Sequence, residues 1–483
     1  MVEHLKRNIL YLFSLGFTIL NIFFLANGHY WFTALPLALA ILVLFFFSLD
    51  KLLLIIAGLT PFTFKFEFVQ FGFTVNLPTE PLIVAAMLLF FLRLIQEPVY
   101  NLRVLKHPLT IILVLNLVWM LVTSFTSEIP LVSFKYFFAR LWFVVTFYFL
   151  AINLFKKYAN LHKFLWFFGA GLGLVVIAIT VEHAQFGFER MAGTWVVDPF
   201  FSDHTNYSST LALVAPFFIV MAFNKRYSPL RRSLASIFFL IFCMGILFSY
   251  SRATWLSLMV ASGGFIVLGL KIPLRFIAAG MVLIAATLVT FQDQVIIRLE
   301  RNTQESSGEF SEHVRSISNI SSDASNLERI NRWRSAFRMF EERPVFGWGP
   351  GTYQFVYAPF QRSEDFTIIT TNFGNLGNAH SEYIGPLAES GLAGMLLFVA
   401  LAIMVIHTGV KLFKKAPTRE MRLMALGITL GFITYFMHGL LNNFLDTDKA
   451  AVPFWGMMAM LVAIDAFYRK EPLQSDEINL FAN

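Results

Sequence analysis

The sequence predicts an all-α protein, a polytopic bundle of 12–14 transmembrane helices with one large, partly helical loop outside the membrane. Apolar residues make up 57% of the 483 residues and charged residues only 14%, whereas soluble domains carry about 45–50% apolar and about 25% charged residues. The apolar residues are also gathered into runs long enough to cross a bilayer. These two observations exclude a soluble globule and a disordered chain.

A helix needs about 20 apolar residues to cross the hydrocarbon core. Candidate runs lie at residues 8–26, 31–48, 52–64, 81–96, 108–126, 131–152, 164–182, 207–223, 233–249, 254–270, 273–291, 391–410, 421–443 and 452–468. The third and fourth runs are short, so re-entrant or interfacial segments are alternatives to full spans there. The runs are too long and too uniformly apolar for barrel strands, and we therefore expect helices.

The positive charges predict which ends of the helices face the cytoplasm. Lys and Arg are concentrated in alternate loops, and the short loops opposite hold only Lys65, Arg190, Arg252 and Lys449. Because cytoplasmic loops carry the excess of Lys and Arg, both termini are predicted to be cytoplasmic. The net charge of +7 is then explained mostly by the Lys and Arg residues of the cytoplasmic loops. No nucleic-acid partner is predicted.

The runs divide the chain into a long membrane part, a hydrophilic loop, a second membrane part and a tail. Their predicted bounds are 1–291 with about eleven spans, 292–380 for the loop, 381–470 for the C-terminal spans and 471–483 for a cytoplasmic tail. The loop begins Ser-rich, and then Ile330, Trp333 and Phe337 recur at helical spacing. We expect a helix near 326–342.

His380 is the first candidate for chemistry. It follows a stretch rich in Gly and Asn, and a short helix is predicted to start around residues 378–381, beside the membrane. An imidazole in such a place can act as a general base near neutral pH. The alternative is an ordinary capping or surface histidine.

Several arginines are candidates for binding an anion. Arg252 begins a helix at the outer face, where the alternative is a side chain that reaches for lipid headgroups. Arg329 and Arg332 lie three residues apart and share a face of the loop helix, which can also be an ordinary solvated face. Arg190 lies in a polar outer loop, and Arg140 lies near the middle of a run, where an arginine is costly and suggests function.

No metal or cofactor is predicted. Cys243 is the single cysteine, so no disulfide framework and no cysteine-based zinc site is expected. Asp446 and Asp448 form a short acidic pattern that we interpret as a turn. The sequence lacks the patterns typical of nucleotide hydrolysis and zinc proteolysis.

Four segments taken together resemble the O-antigen ligase and polymerase superfamily, whose members are enzymes of the bacterial inner membrane. The segments are RMAGTWVVDPFFSDHTNYSSTLALVAPF, FSYSRATWLSL, RINRWRSAFRMFEERPVFGWGPGTY and AHSEYIGPLAESGLAGMLLF. The third is similar to the family's Arg-x3-Trp helix followed by Pro-x-x-Gly-x-Gly. The fourth is similar to its His motif, with Ser381 where Asn is frequent. The resemblance covers residues 190–265 and 325–465.

The resemblance implies a transferase that uses a glycan linked to undecaprenyl pyrophosphate as donor, with the large loop in the periplasm. It implies that His380 is the catalytic base and that Arg252 and Arg329 bind the donor pyrophosphate. Further candidates for the same pocket are Arg190, Arg140, Arg332 and Arg338. The implied partners are the donor, a lipid A-core or glycan acceptor, and membrane lipids.

Three classes of activity remain open from the sequence. A ligase transfers the glycan to lipid A-core, and the single large loop before the His motif favours this reading. A polymerase uses a second carrier-linked repeat, and a related ligase uses another acceptor, including protein. A transporter for lipid-linked sugars would use the same arginines to hold phosphate and would not need His380.

Overall fold

The apolar runs fold into helices in a computed structural model of the chain. The structure describes residues 2–28, 48–68, 73–96, 101–273, 324–366 and 377–468, with short pieces between 32 and 44 and between 279 and 290. Most of the predicted runs at 31–48 and 273–291 lies outside the described residues. The same holds for the Ser-rich half of the loop and for the predicted tail.

The helices are numbered here along the chain. They are α1 (Val2–Ala26), α2 (Leu49–Leu59), α3 (Thr79–Gln96), α4 (Leu102–Leu105), α5 (Pro108–Phe125), α6 (Pro130–Leu154), α7 (Tyr158–Gln185), α8 (Arg190–Trp195), α9 (His204–Ala222), α10 (Pro229–Phe248), α11 (Arg252–Gly269), α12 (Ala324–Glu342), α13 (Tyr353–Val356), α14 (Ile384–Lys415), α15 (Arg419–His438) and α16 (Asp448–Tyr468). The helix α12 occurs where the sequence predicts one near 326–342.

Ten helices of the described residues are long and apolar enough to cross a membrane. They are α3, α5, α6, α7, α9, α10, α11, α14, α15 and α16. This confirms the predicted all-α polytopic fold. The chain forms two compact units, Met1–Ile55 with α1 and Ile56–Asn483 with all ten of these helices.

The third predicted run is not a membrane span. The helix α2 ends after 11 residues, and the chain then enters an antiparallel hairpin of β1 (Phe64–Phe68) and β2 (Phe73–Leu77), in which Phe66 pairs with Val75. Apolar and polar residues alternate along both strands, as the two-residue period of a strand requires. The prediction of membrane helices missed this short alternation, because it searched for apolar runs of about 20 residues.

Helices at the centre of the larger unit differ in burial from those at its edge. In α9 and α16, 83% of the apolar window is buried, against 17% in α11. Accordingly α15 packs against α9, α11 and α14, and α9 also packs against α10. A helix that is apolar all round and buried belongs to the interior, whereas an apolar helix with an exposed face suits contact with lipid.

Polar capping side chains fix where several helices begin. Asp203 accepts hydrogen bonds from backbone N–H groups at the start of α9, and Ser228 and Thr418 do the same for α10 and α15. Such caps satisfy donors that the helix itself leaves unpaired. The helices α9, α11 and α14 begin, and α15 ends, at one end of the bundle, which we call the His380 end.

Candidate active site

The backbone around His380 is held in an unusual conformation. His380 has φ of +49°, a region that few residues other than glycine occupy and that clusters at functional sites. Its N–H donates to Oδ1 of Asn378 over 3.0 Å. Ser381 Oγ accepts from the N–H groups of Tyr383 and Ile384, so Ser381 caps the first turn of α14. The helix begins at Ile384, slightly later than predicted, and leaves His380 just outside it.

Arg332 positions the segment that carries His380. Its guanidinium is buried, donates from Nε to Glu328 over 2.8 Å and from one terminal nitrogen to the carbonyl of Asn378 over 3.2 Å. The guanidinium also lies over the ring of Tyr357, 5.2 Å from its centre. At Gly377 a side chain would overlap this guanidinium, so glycine is needed there for the close approach.

Glu382 joins the His380 segment to the loop between α15 and α16. Its Oε1 accepts from the hydroxyl of Tyr435 at 2.7 Å and from the N–H groups of Phe444 and Leu445, each at 2.9 Å. The N–H of Glu382 donates to the carbonyl of Gly439. A buried carboxylate with several charge-assisted hydrogen bonds is a strong local tie. It fixes His380 relative to the end of α15.

Three arginines from distant parts of the chain lie near one another, and one of them, Arg329, is within electrostatic reach of His380. Arg329 of α12 donates from Nε to the carbonyl of Leu441 over 3.1 Å. Arg190 and Arg329 both lie within electrostatic reach of Arg252. Like charges held together in a half-buried place repel each other and attract an anion. We call Arg190, Arg252 and Arg329 the arginine cluster.

The environment keeps His380 uncharged. Burial, together with the nearby charges of Arg329 and Arg332, lowers the pKa of His380 to about 3, although Asp203 opposes the shift. Burial also lowers the pKa of Arg329 below its usual value, but a guanidinium keeps its proton in proteins. At neutral pH the site therefore combines a neutral imidazole, which can accept a proton, with fixed positive charges.

A second histidine of this site was missed by the sequence reasoning. His438, the last residue of α15, is buried and lies within electrostatic reach of Arg329 and Asp203. Its Nε2 has no hydrogen-bond partner among the described residues, and the same is true of Oδ1 of Asn206 and Nδ2 of Asn442. Buried polar atoms are nearly always paired. The available signal was His438, followed shortly by Asn442 and Asn443, at the end of an apolar segment.

The structure does not bring Arg338 to the arginine cluster. It lies nine residues after Arg329, about two and a half helical turns, and so on the opposite face of α12. Its guanidinium donates to Asp365 over 2.6 Å and to the carbonyl of Phe360 over 2.6 Å, and Arg334 pairs with the same carboxylate. Arg338 therefore stabilises the fold of the loop.

Arg140 lies in a separate buried cluster. Its guanidinium donates to the hydroxyl of Tyr136 over 3.0 Å and lies 5.8 Å from the ring centre of Trp455. Glu382 and Asp446 are within electrostatic reach, and both are acidic, so they balance its charge. Arg140 lines a cavity of about 70 Å³ that also reaches Asn378 and Ser381.

The two residues of the short acidic pattern, Asp446 and Asp448, have different neighbours. Asp446 is within electrostatic reach of Arg140, whereas Asp448 pairs with Lys449.

The segment after α12 is fixed to a break in α14. Gly391 has φ of +68° and ψ of −170° inside this helix. The N–H of Leu392 donates to the carbonyl of Pro344 over 3.0 Å, and the N–H of Gly349 donates to the carbonyl of Glu389 over 2.7 Å. A Cβ at Gly347 would lie 2.4 Å from the backbone of Glu389. The Pro-x-x-Gly-x-Gly pattern thus allows close backbone contact, which joins the segment after α12 to α14.

We expect Gly391→Ala to destabilise the protein by about 1–3 kcal/mol, because only glycine adopts this backbone conformation readily. A Cβ would also lie 2.1 Å from the carbonyl oxygen of Val345. Gly263→Ala is the matched control, since a Cβ there meets nothing within 4 Å and alanine favours the helix by about 0.5–1 kcal/mol. Thermal unfolding of the purified variants compares the two. Equal Tm values would contradict the assigned role of Gly391.

Residues 237–399 match the family model described as O-antigen ligase. The matched segment includes Arg252, Arg329, Arg332 and His380, whereas Arg190 lies before it. The match supports a multi-pass membrane protein with an activity of the O-antigen ligase or polymerase type. A comparison with the curated proteins finds no match.

Proposed function

We propose that this chain, a member of the O-antigen ligase superfamily, transfers a glycan from undecaprenyl pyrophosphate to a sugar hydroxyl of lipid A-core. The observation that carries the proposal is the position of His380. Its half-buried imidazole lies within electrostatic reach of Arg329 and Arg332, and Arg329 belongs to the arginine cluster. A proton acceptor and an anion site are therefore neighbours.

The reaction divides between these two parts of the site. The imidazole of His380 accepts the proton of the acceptor hydroxyl as the oxygen attacks the anomeric carbon of the donor glycan. The bond from that carbon to the pyrophosphate oxygen breaks, and the pyrophosphate leaves with the electron pair. Direct displacement inverts the anomeric configuration.

The arginine cluster stabilises the leaving group. Charge grows on the phosphate oxygens as the bond breaks, and guanidinium groups bind such oxygens through two parallel hydrogen bonds. The guanidiniums of Arg252 and Arg329 supply the positive charge, so the proposal assigns no step to a metal ion. Arg190 is a further ligand of the same anion, and Arg332 acts by positioning His380.

His438 adds a third component to the proposed donor pocket. Its unpaired Nε2 lies beside Arg329, which the donor pyrophosphate is proposed to contact. A donor oxygen in this place would satisfy the buried nitrogen. We assign His438 to donor binding and the role of base to His380. His380 lies just before α14, where the hydrogen bond from its N–H to Asn378 fixes its backbone.

The placement in the cell follows from the positive charges. Lys156, Lys157, Lys163, Arg419 and Arg422 all lie at the end of the bundle opposite the His380 end. Cytoplasmic ends carry this excess. We therefore propose a bacterial inner-membrane protein with cytoplasmic termini, whose His380 end and large loop face the periplasm.

The acceptor decides between ligase and polymerase, and one experiment separates them. Purified protein is given the carrier-linked glycan together with lipid A-core in one reaction and with a second carrier-linked glycan in another. A ligase consumes the first acceptor, whereas a polymerase consumes the second. Consumption of neither, together with transport of the carrier-linked glycan across vesicles, would favour the transporter and overturn the proposal.

The pH dependence of transfer is expected to differ between the free and the donor-bound enzyme. In the free protein the pKa of His380 is lowered to about 3, so the acid limb of kcat/KM should lie well below pH 6. Donor pyrophosphate brings negative charge to the same place, which favours the charged imidazole and raises its pKa. The acid limb of kcat should therefore lie at higher pH than that of kcat/KM. Coincident limbs would contradict this assignment.

A further inference from the structure

A cavity of about 460 Å³ opens at the end of the bundle opposite His380. It lies where α7 and α10 begin and α9 ends. Two of its lining residues, Lys163 and Arg231, carry positive charge, and none of the described residues that line it is acidic. Its size falls in the range typical of pockets for small molecules, about 300–1,000 Å³.

The remaining wall of the cavity is apolar and aromatic. Trp166 is half-buried, and the side chains of Phe167 and Leu234 are 45% and 39% exposed. A tryptophan at the end of a membrane-spanning helix is typical of the boundary between hydrocarbon and headgroups. The cavity therefore places Lys163 and Arg231 next to apolar surface near this boundary.

A polar network closes the floor of the cavity. His162 Nε2 lies 2.9 Å from Glu420, and the hydroxyl of Tyr227 donates to the same carboxylate over 3.2 Å. Glu420 is buried, and His162 and Tyr227 occupy its Oε1 oxygen. It does not line the cavity, whose charged lining residues are Lys163 and Arg231.

A neighbouring arginine has a different task. Arg232 donates from Nε to the carbonyl of Ala222 over 3.0 Å, which ties the start of α10 to the end of α9. This contact holds the mouth of the cavity and leaves Arg231 on the cavity wall. Of these two consecutive arginines, Arg232 stabilises the fold and Arg231 lines the cavity.

We propose that this cavity binds one anionic phospholipid, with its phosphate at Lys163 and Arg231 and an acyl chain along Phe167 and Leu234. Two cations and no acid on the cavity wall select a negative headgroup, and the exposed apolar side chains select a lipid over a free phosphate. The site lies at the far end of the same helices from His380, and the proposal is independent of the transfer reaction.

The test measures lipid binding to the full-length purified protein by native mass spectrometry. The probes are phosphatidylglycerol and phosphatidylcholine with identical acyl chains, and glycerol phosphate serves as a headgroup without chains. We expect phosphatidylglycerol to bind at least about tenfold more tightly than phosphatidylcholine, since each basic residue near a headgroup contributes roughly fivefold. Glycerol phosphate should not compete at equal concentration.

The variant Lys163→Gln/Arg231→Gln should lose this preference, with phosphatidylglycerol binding weakened about 25-fold. The matched control is Lys156→Gln/Lys157→Gln, which removes two exposed charges from the same end of the bundle. It should keep the preference. Equal losses in both double variants would show only general surface attraction, and effective competition by glycerol phosphate would show a phosphate site, so either result overturns the proposal. Unfolding temperatures measured without added lipid check that both variants are folded.

Discussion

Replacing His380 is expected to lower glycan transfer by about 10²–10⁴-fold, the usual contribution of a general base. Two replacements are informative. His380→Ala removes the imidazole but adds strain at φ of +49°, whereas asparagine tolerates this conformation. His380→Asn should therefore keep the fold and still lose transfer. The measurement is the initial rate of product formation by purified protein with saturating donor and acceptor.

His407→Ala is the matched control for this experiment. His407 lies in the second half of α14, the helix that follows His380. Its side chain is exposed. Its replacement should leave the rate unchanged. Transfer at a near-normal rate by His380→Asn would reject His380 as the base.

Exchange of Arg252 or Arg329 for lysine is expected to weaken donor binding by about tenfold or more, although the charge is kept. Lysine cannot form the two parallel hydrogen bonds that a guanidinium makes to phosphate oxygens. Arg329→Lys also loses the hydrogen bond to the carbonyl of Leu441, so its Tm is measured alongside. The Kd is measured with the carrier-linked glycan in the absence of acceptor.

Arg362→Lys is the control for these two variants. Its side chain is 65% exposed and pairs with Glu364 over 3.4 Å, and exposed pairs of this kind contribute little. The donor Kd should stay that of the parent. Unchanged Kd values in Arg252→Lys and Arg329→Lys would show that the arginine cluster does not bind pyrophosphate.

The membrane fold could be predicted because it depends on local composition. In lipid a long apolar run satisfies its own backbone groups by forming a helix, and ten predicted runs correspond to membrane-length helices among the described residues. The hairpin at Phe64–Phe68 was missed although its signal is local. Apolar and polar residues alternate over five positions in each strand, which is shorter than the windows used for membrane helices.

The candidate site could be predicted only in part. His380 and Arg252 stood out as polar residues at the borders of apolar helices, and Arg329 stood out as one of the arginines of the loop helix. Helical geometry could also have separated Arg338 from Arg329, because nine residues place them on opposite faces. The positioning role of Arg332 could not be predicted, since Arg332 meets Asn378 only through the folding of a long loop.

Other features of the site depend on packing that no short segment specifies. Gly391 requires its conformation because the carbonyls of Pro344 and Val345 approach it from a distant part of the chain. The charge of Arg140 is balanced by Glu382 and Asp446, which come from two later segments. His438 stands at a helix end like many structural histidines, and only its unpaired Nε2 beside Arg329 distinguishes it.

The decisive measurement is a structure with an intact carrier-linked glycan bound. We expect pyrophosphate oxygens about 2.7–2.9 Å from the guanidinium nitrogens of Arg252 and Arg329, the separation of charge-assisted hydrogen bonds. We also expect the anomeric carbon to face the space in front of the His380 imidazole. Pyrophosphate bound away from the arginine cluster, or an imidazole with no route to the anomeric carbon, would rule out the proposed roles of these residues.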